Sequence, residues 1–228
     1  MKTILITGAS DGIGKSIAIK LAEQKETLIL FGRDKDKLQT VKVACEASGS
    51  KVETYAFDLT DNKQRDEVVS GIVQSHQIDV LINNAGIWHN STKLGELPEE
   101  TIQQVITTNL TSQMLLTKGL IESMRSRETA IINIISSAGL QARAGRTAYA
   151  ASKFGMRGFT EALREETKDD PIRIGAVFQS GTNTQMFAKA GESMPLEKYT
   201  DPEDLADVIV FMLTRPPKLW LNEVRVVY

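Results

Sequence analysis

The sequence predicts a three-layer α/β fold, a doubly wound parallel sheet of seven strands with helices on both faces. Three observations carry that reading. Short β-branched runs alternate with helical stretches along the whole chain. The runs are rich in Leu, Ile and Val without clean alternation, as expected of parallel strands covered on both sides. A glycine-rich turn joins the first run to the first helical stretch. At 228 residues the chain suits one large α/β domain, and no linker, repeat or low-complexity segment divides it, so residues 1–228 are read as a single domain.

The elements follow in order. Strands are expected at KTILIT (2–7), TLILFG (27–32), KVETYAF (51–57), DVLINN (79–84), TAIINII (129–135), IRIGAVF (172–178) and EVRVVY (223–228). Between them GIGKSIAIKLAEQ, DKDKLQTVKVACEA and NKQRDEVVSGIVQS carry apolar residues at helical spacing. So do the long run from Pro98 through Asn109 to Ser126, the run TAYAASKFGMRGFTEALREETK, and PEDLADVIVFMLTR. The stretch 179–200, with Met186, Phe187, Met194 and Pro195, belongs to neither class, and excursions of that length are often lids.

Composition narrows the function. A net charge of −2 and a pI of 5.8 give no electrostatic case for nucleic acid or an anionic membrane. No apolar run approaches the ~20 residues of a membrane span, and no basic region precedes an apolar stretch at the start. One cysteine, Cys45, allows no internal disulfide and suits a reducing compartment, so the cytoplasm is expected. Neither His76 nor His89 has a partner at metal-ligand spacing, and no metal site is expected.

Gly8, Gly12 and Gly14 follow a predicted strand and open a predicted helix. Glycine there permits a tight turn and close backbone approach to a pyrophosphate, which the exposed amides of the helix start attract. A turn kept only for packing would also use glycine. Tyr149 stands four residues before Lys153, about one helical turn, so a phenol and an ammonium share a helix face. A nearby cation lowers a phenol's pKa, which makes the pair a candidate for moving a proton to and from an oxygen. Such pairs also occur on solvated helix faces.

Four signatures, in order, give these residues a common setting: TGASDGIG at 7–14, NNAG at 83–86, the serine ending NIIS at 133–136, and YAASK at 149–153. Together they resemble the short-chain dehydrogenase/reductase family in its single-domain branch, over essentially the whole chain. That resemblance implies a Rossmann fold and hydride transfer between a nicotinamide and a carbonyl or alcohol. It implies that Tyr149 is the general acid or base, that Lys153 binds the nicotinamide ribose and lowers the tyrosine's pKa, and that Ser136, thirteen residues before Tyr149, holds the substrate oxygen. Ser137 is out of register for that role. Asn109 would kink its helix and hold a water that relays protons to Lys153. Gly8, Ser10, Gly12, Ile13 and Gly14 would cradle the diphosphate. Asp58 and Leu59 would meet the adenine, and Asn84, Ala85 and Gly86 would line its ribose side.

The second strand ends without the acid an NAD-preferring member would place at Gly32, and Arg33 follows at once. A guanidinium can fork a 2′-phosphate, and Lys35 and Lys37 add charge, so NADP(H) is expected over NAD(H). Arg33 could instead be a solvated loop cation. Asp34 and Asp11 count against the phosphate. After the sixth strand Gln179 and Ser180 stand where the family has Pro-Gly, while Thr182 and Thr184 keep the places of threonines that meet the carboxamide.

Trp88, His89, Met186 and Phe187 suit a largely apolar carbonyl substrate, although Trp88 could equally be core. Arg143 and Arg146 could receive a carboxylate or simply be solvated. A non-catalytic NADP-sensing or scaffold protein is the alternative, but it would have no need of Ser136, Tyr149 and Lys153 together. An epimerase of the broader superfamily would need a larger region after residue 179. The helices at 98–127 and 147–168 correspond to the family's four-helix interface, so a homotetramer or homodimer is expected.

Overall fold

Alternate residues of the central strands go to opposite sides of the sheet, so an apolar run buries both of its faces only between two helical layers. The computed structural model describes residues 1–216 and 218–227. Its strands are β1 (Thr3–Thr7), β2 (Thr27–Gly32), β3 (Lys51–Ala56), β4 (Val80–Asn83), β5 (Thr129–Ile134), β6 (Ile172–Gln179) and β7 (Glu223–Val226). Among the described residues they form one parallel sheet in the order β3-β2-β1-β4-β5-β6-β7. The order reverses between β1 and β4, which opens a crevice at their carboxyl ends.

The helices are α1 (Gly12–Ala22), α2 (Lys35–Ala47), α3 (Asn62–Ser75), α4 (Glu99–Ile106), α5 (Ser112–Met124), α6 (Thr147–Glu166), the short α7 (Met186–Lys189) and α8 (Pro202–Leu213). Ile4, Ile6, Leu28, Leu30, Val80 and Ile82 pack with α1, α2 and α8 on one side. Leu5, Ile29, Leu81 and Ile131 pack with α3, α5 and α6 on the other. This is the three-layer fold the sequence predicts. Asp11, Asp34 and Asp61 start α1, α2 and α3, each carboxylate accepting from an amide of the first turn.

Two elements differ from expectation. The long helix predicted from Pro98 is interrupted by a π-helical turn at Thr107–Thr111, so it becomes α4 and α5. The cause is Asn109, whose Oδ1 accepts from the Ile87 amide at 2.7 Å and whose Nδ2 donates to the Ile87 carbonyl at 2.9 Å. That two-way grip on another segment fixes its helix position, and the wide turn absorbs the register. The last strand ends at Val226, and Tyr228, included in the predicted strand, lies outside the described residues. No helix among the described residues is long and apolar enough to cross a membrane.

Candidate active site

The glycine turn is built by backbone-to-backbone packing. Gly8 has φ +66, and a Cβ there would lie 2.9 Å from the Ala85 Cα. A Cβ on Gly14 would lie 2.3 Å from the Gly8 carbonyl oxygen and 2.5 Å from Asn84 Nδ2. Side chains cannot enter, so the ends of β1 and β4 and the start of α1 meet closely. Thr7 Oγ1 accepts from the amides of Asn84 and Ala85, each at 2.9 Å, and Asn84 Nδ2 returns a bond to the Thr7 carbonyl at 2.8 Å. The result is a cleft whose floor is backbone, running from Arg33, Asp58 and Leu59 at one end to Tyr149 and Lys153 at the other. Ser10, Gly12, Ile13, Ala85 and Gly86 lie along it.

At the first end Arg33 is largely exposed and lies 3.8 Å from Asp58. A Cβ on Gly32 would come within 3.0 Å of Ser10, so this position has little room for an acid. Both acids that counted against a phosphate are already engaged. Asp34 caps α2 through the Lys37 amide. Burial pushes the Asp11 carboxyl up, but Lys189, Lys37 and the Gly12 amide outweigh it and hold the group at about 2.

At the other end α6 presents Tyr149 and Lys153 on one buried face. Lys153 Nζ lies 5.7 Å from the centre of the tyrosine ring and donates to the Ile134 carbonyl at 3.3 Å. Burial pushes the phenol up to about 12, against the downward pull of a hydrogen bond with Ser136 and of the Arg146 cation. Burial also pushes Lys153 down, to about 8. The expected lowering of the phenol by Lys153 therefore does not govern this arrangement, because desolvation weighs on both groups. Ser136 has φ 143 and ψ 155, a conformation that is nearly glycine-only, and strain of this kind clusters at working sites. Asn109 lies behind Gly86: a Cβ on Gly86 would be 3.3 Å from Asn109 Oδ1 and 3.8 Å from Lys153 Nζ.

Beyond β6 the expectations divide. Thr184 reaches the cleft, its methyl 3.1 Å from where a Gly12 Cβ would be. Thr182 does not reach the wall. It is buried in a bridge to Thr200, and its hydroxyl has no hydrogen-bond partner. Gln179 lines the cleft.

Residues of the excursion after β6 also line the cleft, among them Gln185, Met186 and Lys189. Phe187 meets Trp88 edge-on at 5.3 Å, and Glu192 accepts from Trp88 Nε1 at 2.5 Å and from Ser91 Oγ at 2.9 Å. Trp88 is at once core and wall: it is buried, meets Tyr149 edge-on at 4.5 Å, and carries Arg146 over its ring at 5.0 Å. His89 donates from Nδ1 to the Asn90 carbonyl at 2.8 Å and accepts the Tyr149 amide at Nε2, 3.4 Å away, which anchors the start of α6. Gln104, Thr108, Gln185 and Lys189 also line the cleft and were not singled out from the sequence. Only the packing of α4, of the π-helical turn that carries Thr108, and of the segment after β6 brings them there.

These residues fit a dinucleotide. The cradle at Gly8, Gly12 and Gly14 admits backbone approach, an exposed guanidinium waits at one end, and a proton-bearing phenol lies at the other.

Comparison with known proteins agrees. The model of the short chain dehydrogenase family matches residues 2–195. The chain is 35% identical over 221 residues to a 3-oxoacyl-[acyl-carrier-protein] reductase of Thermotoga maritima, covering 92% of this chain and 89% of that one. It is 35% identical over 229 residues to an NADP-dependent 3-hydroxy acid dehydrogenase of Schizosaccharomyces pombe, covering 94% and 87%. A metagenomic short-chain oxidoreductase solved with NADP superposes with a TM-score of 0.87 at 29% identity, covering 99% and 96%.

Proposed function

The chain belongs to the short-chain dehydrogenase family and is a nicotinamide-dependent oxidoreductase of C=O and CH–OH groups, and on that premise we propose that it reduces a ketone or aldehyde with NADPH, reversibly, Tyr149 supplying the proton. The observation that carries the reading is the buried phenol of Tyr149, with Ser136 beside it, at the end of a cleft that begins at the glycine turn. A nicotinamide bound there supplies a hydride to the carbonyl carbon.

The chain's own residues do the rest. Ser136 holds the carbonyl oxygen, and Tyr149 gives its Oη proton as that oxygen becomes an alcohol. A phenol held near 12 is protonated at neutral pH, the form that reduction requires. Lys153 and Arg146 favour the phenolate left behind. Trp88, Phe187 and Met186 exclude water from the reacting end. Gly8, Ser10, Gly12, Ile13 and Gly14 would hold the diphosphate, Asp58 and Leu59 the adenine, and Asn84, Ala85 and Gly86 the floor beside its ribose. Arg33 would hold the 2′-phosphate. The NADP-bound relative supports that preference.

The whole chain works as one NADP-binding domain with its lid at about 179–200. Its buried Cys45 thiol suits the cytoplasm. The exposed Met114 and Phe154 flank a shallow groove between α5 and α6, which supports pairing of copies into a homodimer or homotetramer. A monomeric mass by light scattering at micromolar concentration would count against it.

The test is NADPH consumption against a panel of ketones, aldehydes and 3-oxoacyl thioesters, with Tyr149→Phe alongside. Turnover should fall by about 10²- to 10⁴-fold in the variant while NADPH binding persists. NADP bound with no compound turned over would favour a sensor instead.

A further inference from the structure

Thr7 closes β1 at the glycine turn, and its hydroxyl is fully committed. Its oxygen accepts from the amides of Asn84 and Ala85, each at 2.9 Å, so both lone pairs are used. Its one proton goes to Gln113 Oε1 at 3.3 Å, with the Ile82 carbonyl as a longer alternative at 3.4 Å. Gln113 is buried on α5, and its Nε2 donates to the Ala85 carbonyl at 2.8 Å. The two bonds fix which way the amide faces. Turned over, its N–H would meet a hydroxyl with no free lone pair, and its oxygen would meet a carbonyl.

One side chain therefore ties together the two chain segments whose approach makes the cleft floor. Thr7 precedes Gly8, and Gly8 packs so closely on Ala85 that a Cβ there would lie 2.9 Å from the Ala85 Cα. Thr7, Gly8 and Ala85 all line the cleft, whereas Gln113 lies behind them. The helix register brings it there. Asn109 and Gln113 are four residues apart, about one turn, so both face the same segment, gripping Ile87 and Ala85 on either side of Gly86. The π-helical turn at Thr107–Thr111 adds a residue just before α5, and without it Gln113 would point about 100° away from the floor. We propose that Gln113 is a positioning residue for the dinucleotide: without touching it, its amide sets the gap between the glycine turn and Ala85, where the cofactor would lie. This rests on the cofactor reading above. An apolar side chain at 113 would leave the Thr7 proton only its longer bond and the Ala85 carbonyl no donor, so that peptide would turn toward water in the cleft.

The experiment measures binding, without turnover. Dissociation constants for NADP⁺ by calorimetry, and unfolding temperatures, are determined for the native protein, Gln113→Leu, Gln113→Met and Thr117→Val. Thr117 is the matched control: it lies one turn further along α5, is buried, and accepts from Asn83 Nδ2 at 3.0 Å, but it does not line the cleft or bond the floor. All three variants should unfold at a lower temperature, since each loses a buried hydrogen bond. Only the Gln113 variants should bind NADP⁺ more weakly, by about tenfold, while Thr117→Val stays within about twofold of native. Native affinity in a folded Gln113 variant overturns the proposal. So does an equal loss in Thr117→Val, which would mark a general loosening of the fold. If neither Gln113 variant folds, NMR of the native protein decides: the Gln113 Nε2 protons should shift as NADP⁺ is added, and unmoved resonances overturn the proposal. A native protein that binds neither NADP⁺ nor NAD⁺ sinks the cofactor reading itself, which separates the two.

Discussion

Lys189 on the short helix α7 reaches Asp11 on the glycine turn, Nζ to Oδ2 at 2.8 Å. Lys37 meets the same oxygen at 3.1 Å from α2. One carboxylate thus ties the lid and the second helix to the mouth of the cleft. It also occupies two cations that a phosphate could use.

Asp11→Asn tests that competition. Asparagine caps a helix about as well as aspartate, so α1 should keep its start. The variant should bind NADPH about two- to fivefold more tightly at low salt, and the gain should shrink as salt screens the freed lysines. Titration of cofactor at two ionic strengths reads this directly. Weaker binding would mean that the bridge itself organises the cleft.

Arg33→Ala addresses cofactor choice. Loss of a charge-assisted bond to a 2′-phosphate should lower kcat/KM for NADPH by about 10- to 100-fold and leave NADH nearly untouched. Equal kcat/KM with the two cofactors in the native enzyme would refute the preference at the outset.

Lys153→Met should trade activity for stability. The ammonium is buried and its pKa is pushed down to about 8, below its ordinary value. Below pH 8 the group is charged in both folded and unfolded chains, so the full cost of burying the charge falls on the native state. Between 8 and the ordinary lysine value the folded chain deprotonates first, and that cost fades as pH rises. Without cofactor, the variant should therefore be more stable at pH 7 by roughly 1–3 kcal/mol, with the gain shrinking towards pH 10. Turnover should be largely lost. Thermal unfolding at the two pH values decides it, and a destabilised variant at pH 7 would refute the account.

Gly14→Ala should do the opposite to the fold. The added methyl has backbone of Gly8 and the Asn84 amide in its place, and neither is free to yield. The turn must shift, at a cost of about 1–3 kcal/mol, which lowers Tm by several degrees and weakens cofactor binding. Gly71→Ala in α3 is the control. Its Cβ meets nothing within 4 Å, and it should stabilise by about 0.5–1 kcal/mol. Similar melting temperatures for the two variants would show that the turn is looser than its geometry implies.

Much of this site was legible along the chain because its geometry is local. Gly8, Gly12 and Gly14 lie within one strand-to-helix turn, and Tyr149 and Lys153 lie one helical turn apart. Asn109 was read as a kink in its helix, and the π-helical turn is there. The lid was read from its length alone, but its latches were not, since Glu192 meets Trp88 and Lys189 meets Asp11 across about a hundred residues or more of chain. Thr182 is placed by its position in a pattern, and neither its backbone bridge to Thr200 nor the burial of its hydroxyl is legible there.

The amino-acid order alone determined which strands exist, that they run parallel, and that Tyr149 and Lys153 share a helix face, because periodicity and turn chemistry act between near neighbours. Only the tertiary structure decided the phenol near 12, the lysine near 8, the ion-paired Asp11 and the unpaired oxygen of Gln179. Those properties depend on how much water surrounds a group and which distant charges replace it, and chain closure alone sets both.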